Sequence, residues 1–297
     1  MRSLLFVPAD SERKLARAPS SGADALILDL EDSVVPANRD LARRRARAFL
    51  AESPAKPVRR YVRVNALGSG AAPVSGHGAG LDDLAAVMPG RPDGILLPKC
   101  VPEDLRALDH CLSAFEAAHG IPPGKTRIIA IATETPAALF ALGSYAGVSA
   151  RLEAVTWGAE DLAAAIGGDN RRADGVYDDV YRLARALCLV AAAAAGVMAI
   201  DTIFTDFKDE EGLRAECAAA RRSGFAAKMA IHPAQIPAIN DAFSVSHEGL
   251  AWARRVVAAF AEHPEAGTIA LDGKMIDRPH LILAQRLLGQ DRSNGEP

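Results

Sequence analysis

Short apolar runs of strand length alternate along the chain with longer stretches in which alanine, leucine and arginine recur at helical spacing. This alternation marks repeated βα units around a parallel sheet. Eight runs stand out: Leu4–Val7, Ala25–Leu28, Tyr61–Val64, Gly94–Leu97, Ile128–Ala132, Ala154–Trp157, Ala199–Phe204 and Lys228–Ile231. Amphipathic segments predict helices over Asp10–Ala18, Arg39–Ala51, Leu81–Met88, Pro102–Ala118, Pro136–Gly143, Tyr177–Ala195, Glu210–Ser223 and His247–Glu262. Eight such units in about 260 residues match a (β/α)8 TIM barrel, which typically takes about 250. An open, doubly wound sheet is the competing arrangement, but no G-x-G-x-x-G follows the first run. The expected division is a barrel domain over residues 1–263 and a C-terminal lid segment, helix and tail over residues 264–297. In the second part Asp272-Gly273 signals a tight turn, Met275 to Pro279 leads into a short helix, and residues 290–297 read as a frayed polar tail. The Gly-, Ser- and Pro-rich stretch Gly68–Gly80 reads as a mobile loop after the third strand.

Composition narrows the class. At 297 residues with 49% hydrophobic and 24% charged positions, the chain is globular, which excludes a disordered, collagenous or coiled-coil protein. Thirty-four Lys and Arg against 37 Asp and Glu give a formal charge of −3, so nothing draws in a polyphosphate backbone and nucleic acid is not an expected partner. The four cysteines, Cys100, Cys111, Cys188 and Cys217, form neither a C-x-x-C pair nor a metal-ligand spacing, as suits a reduced, cytoplasmic compartment. The longest apolar stretch, Ala186–Ile200, is divided by Gly196 and falls short of the roughly 20 residues a membrane span needs, so no membrane association is expected.

Polarity concentrates just after the apolar runs, where a barrel builds its catalytic face. Asp29, Glu31 and Asp32 follow the second run, Arg63 and Asn65 close the third, Lys99 follows the fourth, Glu134 the fifth, Glu160 and Asp161 the sixth, and His232 the eighth. A lone carboxylate after a strand is most often a helix cap. A ring of Asp29, Glu31, Glu134 and Asp161 facing only Arg63 and Lys99 calls for more than capping. A divalent cation neutralises it most simply, and all-oxygen ligation suits Mg²⁺, with Mn²⁺ able to substitute. The planar fork of Arg63 suits a substrate carboxylate, its competing role being a surface ion pair. His232 fits either an acid/base or a residue bonded into the barrel rim. Trp157 fits packing.

The segments Leu5-Phe6-Val7-Pro8-Ala9-Asp10, Leu28-Asp29-Leu30-Glu31-Asp32-Ser33-Val34, Arg63-Val64-Asn65, Leu97-Pro98-Lys99, Thr133-Glu134-Thr135-Pro136, Trp157-Gly158-Ala159-Glu160-Asp161-Leu162 and Lys228-Met229-Ala230-Ile231-His232-Pro233 resemble the HpcH/HpaI aldolase/citrate lyase family. The similar group within it is the citrate lyase β-subunit-like proteins, which include malyl-CoA and citramalyl-CoA lyases. The resemblance implies a magnesium-dependent barrel that breaks or forms a carbon–carbon bond between an acyl-CoA thioester and a 2-oxo acid. It implies Glu134 and Asp161 as metal ligands, Arg63 as the clamp on the oxo-acid carboxylate, and Gly158, Ala159 and Glu160 as walls of the same pocket. By the same resemblance Arg13 and Lys14 serve the coenzyme A moiety, and Asp277 is the acid/base, offered across a subunit interface of a homotrimer. The alternatives left open are the β-subunit of a citrate lyase complex acting on an acyl carrier protein thioester, and a malyl- or citramalyl-CoA thioesterase.

Overall fold

The computed structural model describes residues 1–52, 58–68, 79–171 and 175–295, with side chains up to residue 289. The chain divides into two units, Arg2–Ala242 and Phe243–Pro297, the latter joined by Met1.

In the first unit eight strands close into a barrel in chain order: β1 Ser3–Pro8, β2 Ala25–Asp29, β3 Arg59–Arg63, β4 Gly94–Leu97, β5 Arg127–Ile131, β6 Leu152–Thr156, β7 Met198–Asp201 and β8 Ala227–Ala230. Every pairing is parallel, and β8 returns to β1 with Met229 opposite Leu4 and Ala230 opposite Leu5. The strands read as unbroken apolar runs because both faces are covered: Leu4, Leu26, Ile27, Leu28, Ile95, Leu96, Ile129, Val155 and Ile200 are fully buried. Helices α1 Glu12–Arg17, α2 Arg39–Ala51, α3 Ala79–Val87, α4 Pro102–His119, α5 Pro136–Ala141, α6 Ala159–Ile166, α7 Asp179–Ala195, α8 Glu210–Ser223 and α9 Ile236–Phe243 fill the connections. The expected (β/α)8 barrel is therefore the observed fold. Of the loop expected over Gly68–Gly80, residues 69–78 lie outside the described residues, and α3 begins at Ala79.

Three differences have local causes. The seventh strand stops at Asp201 rather than Phe204, because its pairing with β8 ends at the Asp201–Lys228 register. The segment after the sixth strand is helical at once, with Gly158 as the N-cap of α6. A further helix, α9, follows the eighth strand directly.

The second unit holds α10 His247–Glu262, a hairpin of β9 Thr268–Leu271 and β10 Lys274–Asp277, and α11 Arg278–Gly295. Ser246 caps α10 by accepting from Gly249 N. Asp272 and Gly273 both take left-handed backbone, φ 52° and 74°, which turns β9 into β10 as the Asp-Gly pair predicts. Ala253, Val256 and Phe260 of α10 pack with Ile276 and Ala284 to form this unit's core, so α10 groups with the hairpin and α11. The helix α11 runs through Gly295, where a frayed tail from residue 290 was expected. Among the described residues no helix is long and apolar enough to cross a membrane.

Candidate active site

A cavity of about 610 Å³ opens at the carboxyl ends of the barrel strands, lined where seven of the eight strands, all but β4, give way to their loops: Pro8, Asp29, Arg63, Ile131, Trp157, Thr202 and Ile231. This is the face on which barrel enzymes carry their chemistry, and the volume suits a sizeable small-molecule ligand. Both signs of charge line the cavity: Arg13, Lys14 and Arg17 of α1, and Asp29, Glu134 and Asp161 from the strand ends.

The carboxylates and the cations that pair with them come from five consecutive strand ends, β2 to β6. Asp29 is 1% exposed. Its carboxylate accepts the backbone N–H of Glu31 at 3.0 Å and of Ser33 at 3.2 Å, which folds the loop back over the strand. The Arg63 fork grips the same carboxylate, Nε to Oδ1 and Nη2 to Oδ2, both at 2.7 Å. Burial raises the Asp29 pKa, but the Arg63 bonds outweigh it and hold the carboxyl below its usual range. Nη1 of Arg63 reaches Asp32 at 3.0 Å and Glu31 at 3.1 Å, and the guanidinium lies 4.8 Å over the Phe6 ring. Thus the arginine expected to hold a substrate carboxylate already holds Asp29 through its fork, and its third nitrogen, Nη1, meets Asp32 and Glu31.

Lys99 joins the remaining carboxylates. Its Nζ lies 2.7 Å from Glu31 Oε1 and 3.3 Å from Asp161 Oδ1. Its backbone N–H donates to Glu134 Oε2 at 2.6 Å from a left-handed conformation, φ 51°, rare for a residue other than glycine. Glu134 is 3% exposed. Thr133 and Thr135 fix it on either side: Thr133 Oγ1 accepts Gly158 N at 3.1 Å, and Thr135 Oγ1 caps α5 by accepting Ala138 N at 3.1 Å. Gly158 passes so close that a β-carbon there would stand 2.7 Å from Glu134 Cγ, which explains the glycine. Burial, joined by the charges of Glu31 and Asp161, pushes the Glu134 pKa well above the ordinary carboxylate value. Burial likewise pushes Glu31 up to about 7, against the pull of Arg63 and Lys99.

Gly158, Ala159, Glu160 and Asp161 all line the cavity, the last three from the first turn of α6, where the helix N-terminus favours negative charge. Trp157 is buried, and its Nε1 donates to Asp201 Oδ1 at 2.8 Å. His232 lines the cavity from the rim, where Nδ1 accepts Ala234 N at 3.2 Å and the ring stacks on Phe207 at 4.8 Å. Asn65 serves the loops, donating to Leu30 O and Asp83. Asp277 belongs to the second unit, at the start of α11, with Oδ1 2.5 Å from His280 Nδ1. The sequence reading missed Arg17, although its spacing of four from Arg13 sets both on one helical face, and it left Lys99 without a role.

Among the described residues no three His, Cys, Asp or Glu side chains group closely enough to hold a metal ion by themselves. The site nevertheless fits a hard divalent cation. Its donors are all carboxylate oxygens, Glu134 and Asp161 are only two, and Mg²⁺ characteristically takes one or two carboxylates and completes its shell with water and substrate. Glu31 Oε2, buried and without a hydrogen bond, shows that the chain's own donors do not satisfy the cluster.

Fold and site together define a barrel enzyme with an acidic, cation-accepting pocket on its catalytic face. The family model for HpcH/HpaI aldolase/citrate lyase matches residues 2–233, and the chain belongs to that family, which makes it an enzyme of the aldolase and lyase class. It is 38% identical over 285 residues to a citrate lyase subunit beta-like protein of Mycobacterium tuberculosis, covering 96% of this chain and 93% of that one. It is 32% identical over 304 residues to the mitochondrial citramalyl-CoA lyase of Mus musculus, covering 97% and 85%. Among solved structures, the CitE protein of M. tuberculosis in complex with magnesium, acetoacetate and coenzyme A superposes with a TM-score of 0.76 at 36% identity, over 98% of each chain.

Proposed function

We propose that the protein is a Mg²⁺-dependent lyase that cleaves a 3-hydroxyacyl-CoA thioester such as malyl-CoA or citramalyl-CoA into acetyl-CoA and a 2-oxo acid, or runs the condensation in reverse. The observation that carries this reading is that one cavity is lined both by carboxylates with Arg63 and by the three cations Arg13, Lys14 and Arg17. A substrate that joins a hydroxy acid to phosphates matches that lining. The relatives that are a citramalyl-CoA lyase and a CitE protein holding magnesium and coenzyme A support the same assignment.

Glu134 and Asp161 would hold Mg²⁺, or Mn²⁺ in its place, whose chemistry when bound is to acidify a hydroxyl and polarise a carbonyl oxygen. Nη1 of Arg63 binds the carboxylate of the hydroxy acid in place of the exposed Asp32, and the grip of the other two nitrogens on Asp29 fixes the guanidinium plane. Gly158, Ala159 and Glu160 form the adjoining wall, and the α1 cations bind the phosphates of coenzyme A. In cleavage the hydroxyl gives its proton to solvent water, which in turn resupplies the proton delivered to carbon; the bond between the carbinol carbon and the carbon beside the thioester carbonyl breaks, and the oxo acid forms. The electron pair passes to a thioester enolate, which Asp277, offered by a neighbouring subunit of a homotrimer, protonates at carbon. The His280 ring beside that carboxylate keeps it in place.

The test is product analysis with malyl-CoA, citramalyl-CoA and citryl-CoA, with Mg²⁺ and with EDTA. Metal-dependent release of acetyl-CoA and an oxo acid from one ester is the expected result. Release of free hydroxy acid and coenzyme A would replace the reading with a thioesterase. Intact CoA esters together with turnover of a carrier-protein thioester would replace it with the citrate lyase subunit.

A further inference from the structure

We propose that Lys99 is a built-in counter-cation for the metal pocket, an ammonium that neutralises Asp161 and Glu31 while no metal is bound and withdraws onto Glu31 when a divalent cation arrives. The inference rests on the metal reading given under the proposed function and goes one step beyond it.

Three features of the geometry point to this role. First, the Lys99 main chain and side chain are tied separately: the backbone N–H is held at 2.6 Å by Glu134 Oε2, whereas Nζ, bonded to Glu31, ends a flexible four-carbon stem. Second, the ammonium is shared unequally, 2.7 Å from Glu31 and 3.3 Å from Asp161, so Asp161 is the partner it releases more easily. Third, there is room to receive the charge: Glu31 Oε2 is buried, within 3.1 Å of Arg63 Nη1, yet makes no hydrogen bond. A lysine serving only to hold Glu31 would not need the approach to Asp161. Arg63 cannot substitute, because its fork is committed to Asp29. With Lys99 in place the metal-free site holds Glu31 and Asp161 close together with their mutual repulsion offset. A divalent ion then has to compete with one positive charge for Asp161.

The test uses the full-length chain with MgCl₂ alone and no substrate, reading magnesium affinity by calorimetry and melting temperature with and without the ion. Lys99→Met is expected to melt lower than wild type without metal, to recover most of the loss with Mg²⁺, and to bind Mg²⁺ on the order of tenfold more tightly, since a competing charge a few ångströms from Asp161 is gone. Unchanged or weaker magnesium binding in Lys99→Met, with wild type binding normally, would overturn the counter-cation role and leave the metal reading standing. Absence of magnesium binding in both proteins would overturn the metal reading itself. Should Lys99→Met fail to fold, Glu31→Gln and the double variant Lys99→Met/Glu31→Gln make the same comparison with the charge pair removed together. The double variant must then bind Mg²⁺ more tightly than Glu31→Gln alone, and equal or weaker binding would overturn the proposal.

Discussion

Replacing Gly158 by alanine tests the position of Glu134 with a single methyl group. The backbone of Gly158 is extended, φ −122° and ψ 119°, a conformation alanine adopts freely. The only cost is contact: the new β-carbon would stand 2.7 Å from Glu134 Cγ and 3.0 Å from Oε1, where ordinary van der Waals contact begins at 3.4 Å. Glu134 must therefore give way by about 0.7 Å, the difference between 3.4 and 2.7 Å. Its retreat is opposed by the Lys99 N–H on Oε2 and by burial on every side, with 3% of the residue exposed. A misplacement of that order in a positioned group costs up to about a hundredfold in rate, or about 2.7 kcal/mol of transition-state stabilisation. We expect Gly158→Ala to lose about that factor in kcat/KM and to bind Mg²⁺ more weakly in a substrate-free titration, with an unchanged far-ultraviolet circular dichroism spectrum. If the variant keeps wild-type magnesium affinity and kcat/KM to within about twofold, Glu134 does not act from where the structure puts it, and its assignment as a metal ligand falls.

Asp161→Asn removes a carboxylate charge while keeping the shape of the first turn of α6; metal-dependent turnover should vanish while the melting temperature holds, and retained turnover would remove Asp161 from the ligand set. Asp277→Ala should leave magnesium binding intact and abolish exchange of the acetyl-CoA methyl protons in deuterated buffer; near-normal exchange would assign the proton transfer elsewhere. Away from the site, burial raises the Glu116 pKa but the two Arg151 bonds at 2.7 Å and the N–H groups of Thr126 and Gly124 overcome it, holding the carboxyl at about 2 against 4.5 unfolded. A depressed pKa contributes stability that is fully present above pH 4.5 and is lost as pH falls toward 2. Glu116→Gln should lower stability at neutral pH and flatten the acid limb of the stability curve, and parallel acid limbs for the two proteins would refute that accounting.

The barrel was legible because a parallel sheet covered on both faces writes its strands as apolar runs, and the polar residues after those runs mark the catalytic end. Charges within the runs were not legible in the same way. Asp201 and Lys228 are wholly buried in β7 and β8 and pair at 2.9 Å, and Asp201 also receives the Trp157 indole and Arg185. Nothing in their local sequence says which carboxylate meets which cation, because the pairing is made between strands. The same holds at the site, where the ring of charges was visible but its bookkeeping was not. The fold gives Arg63 to Asp29 and places Lys99 nearest Glu31, while Asp32 lies more than half exposed to solvent. Glu134 is left with a single backbone donor from Lys99 and Asp161 with the longer arm of Lys99. These two are thus held by the chain's own cations only through a backbone N–H and a 3.3 Å contact, and Glu134 is buried, where an uncompensated charge is costly. That residual deficit is a physical reason for a divalent cation to seat on Glu134 and Asp161 rather than on Asp29 or Glu31, and it is independent of the family resemblance that points to the same pair.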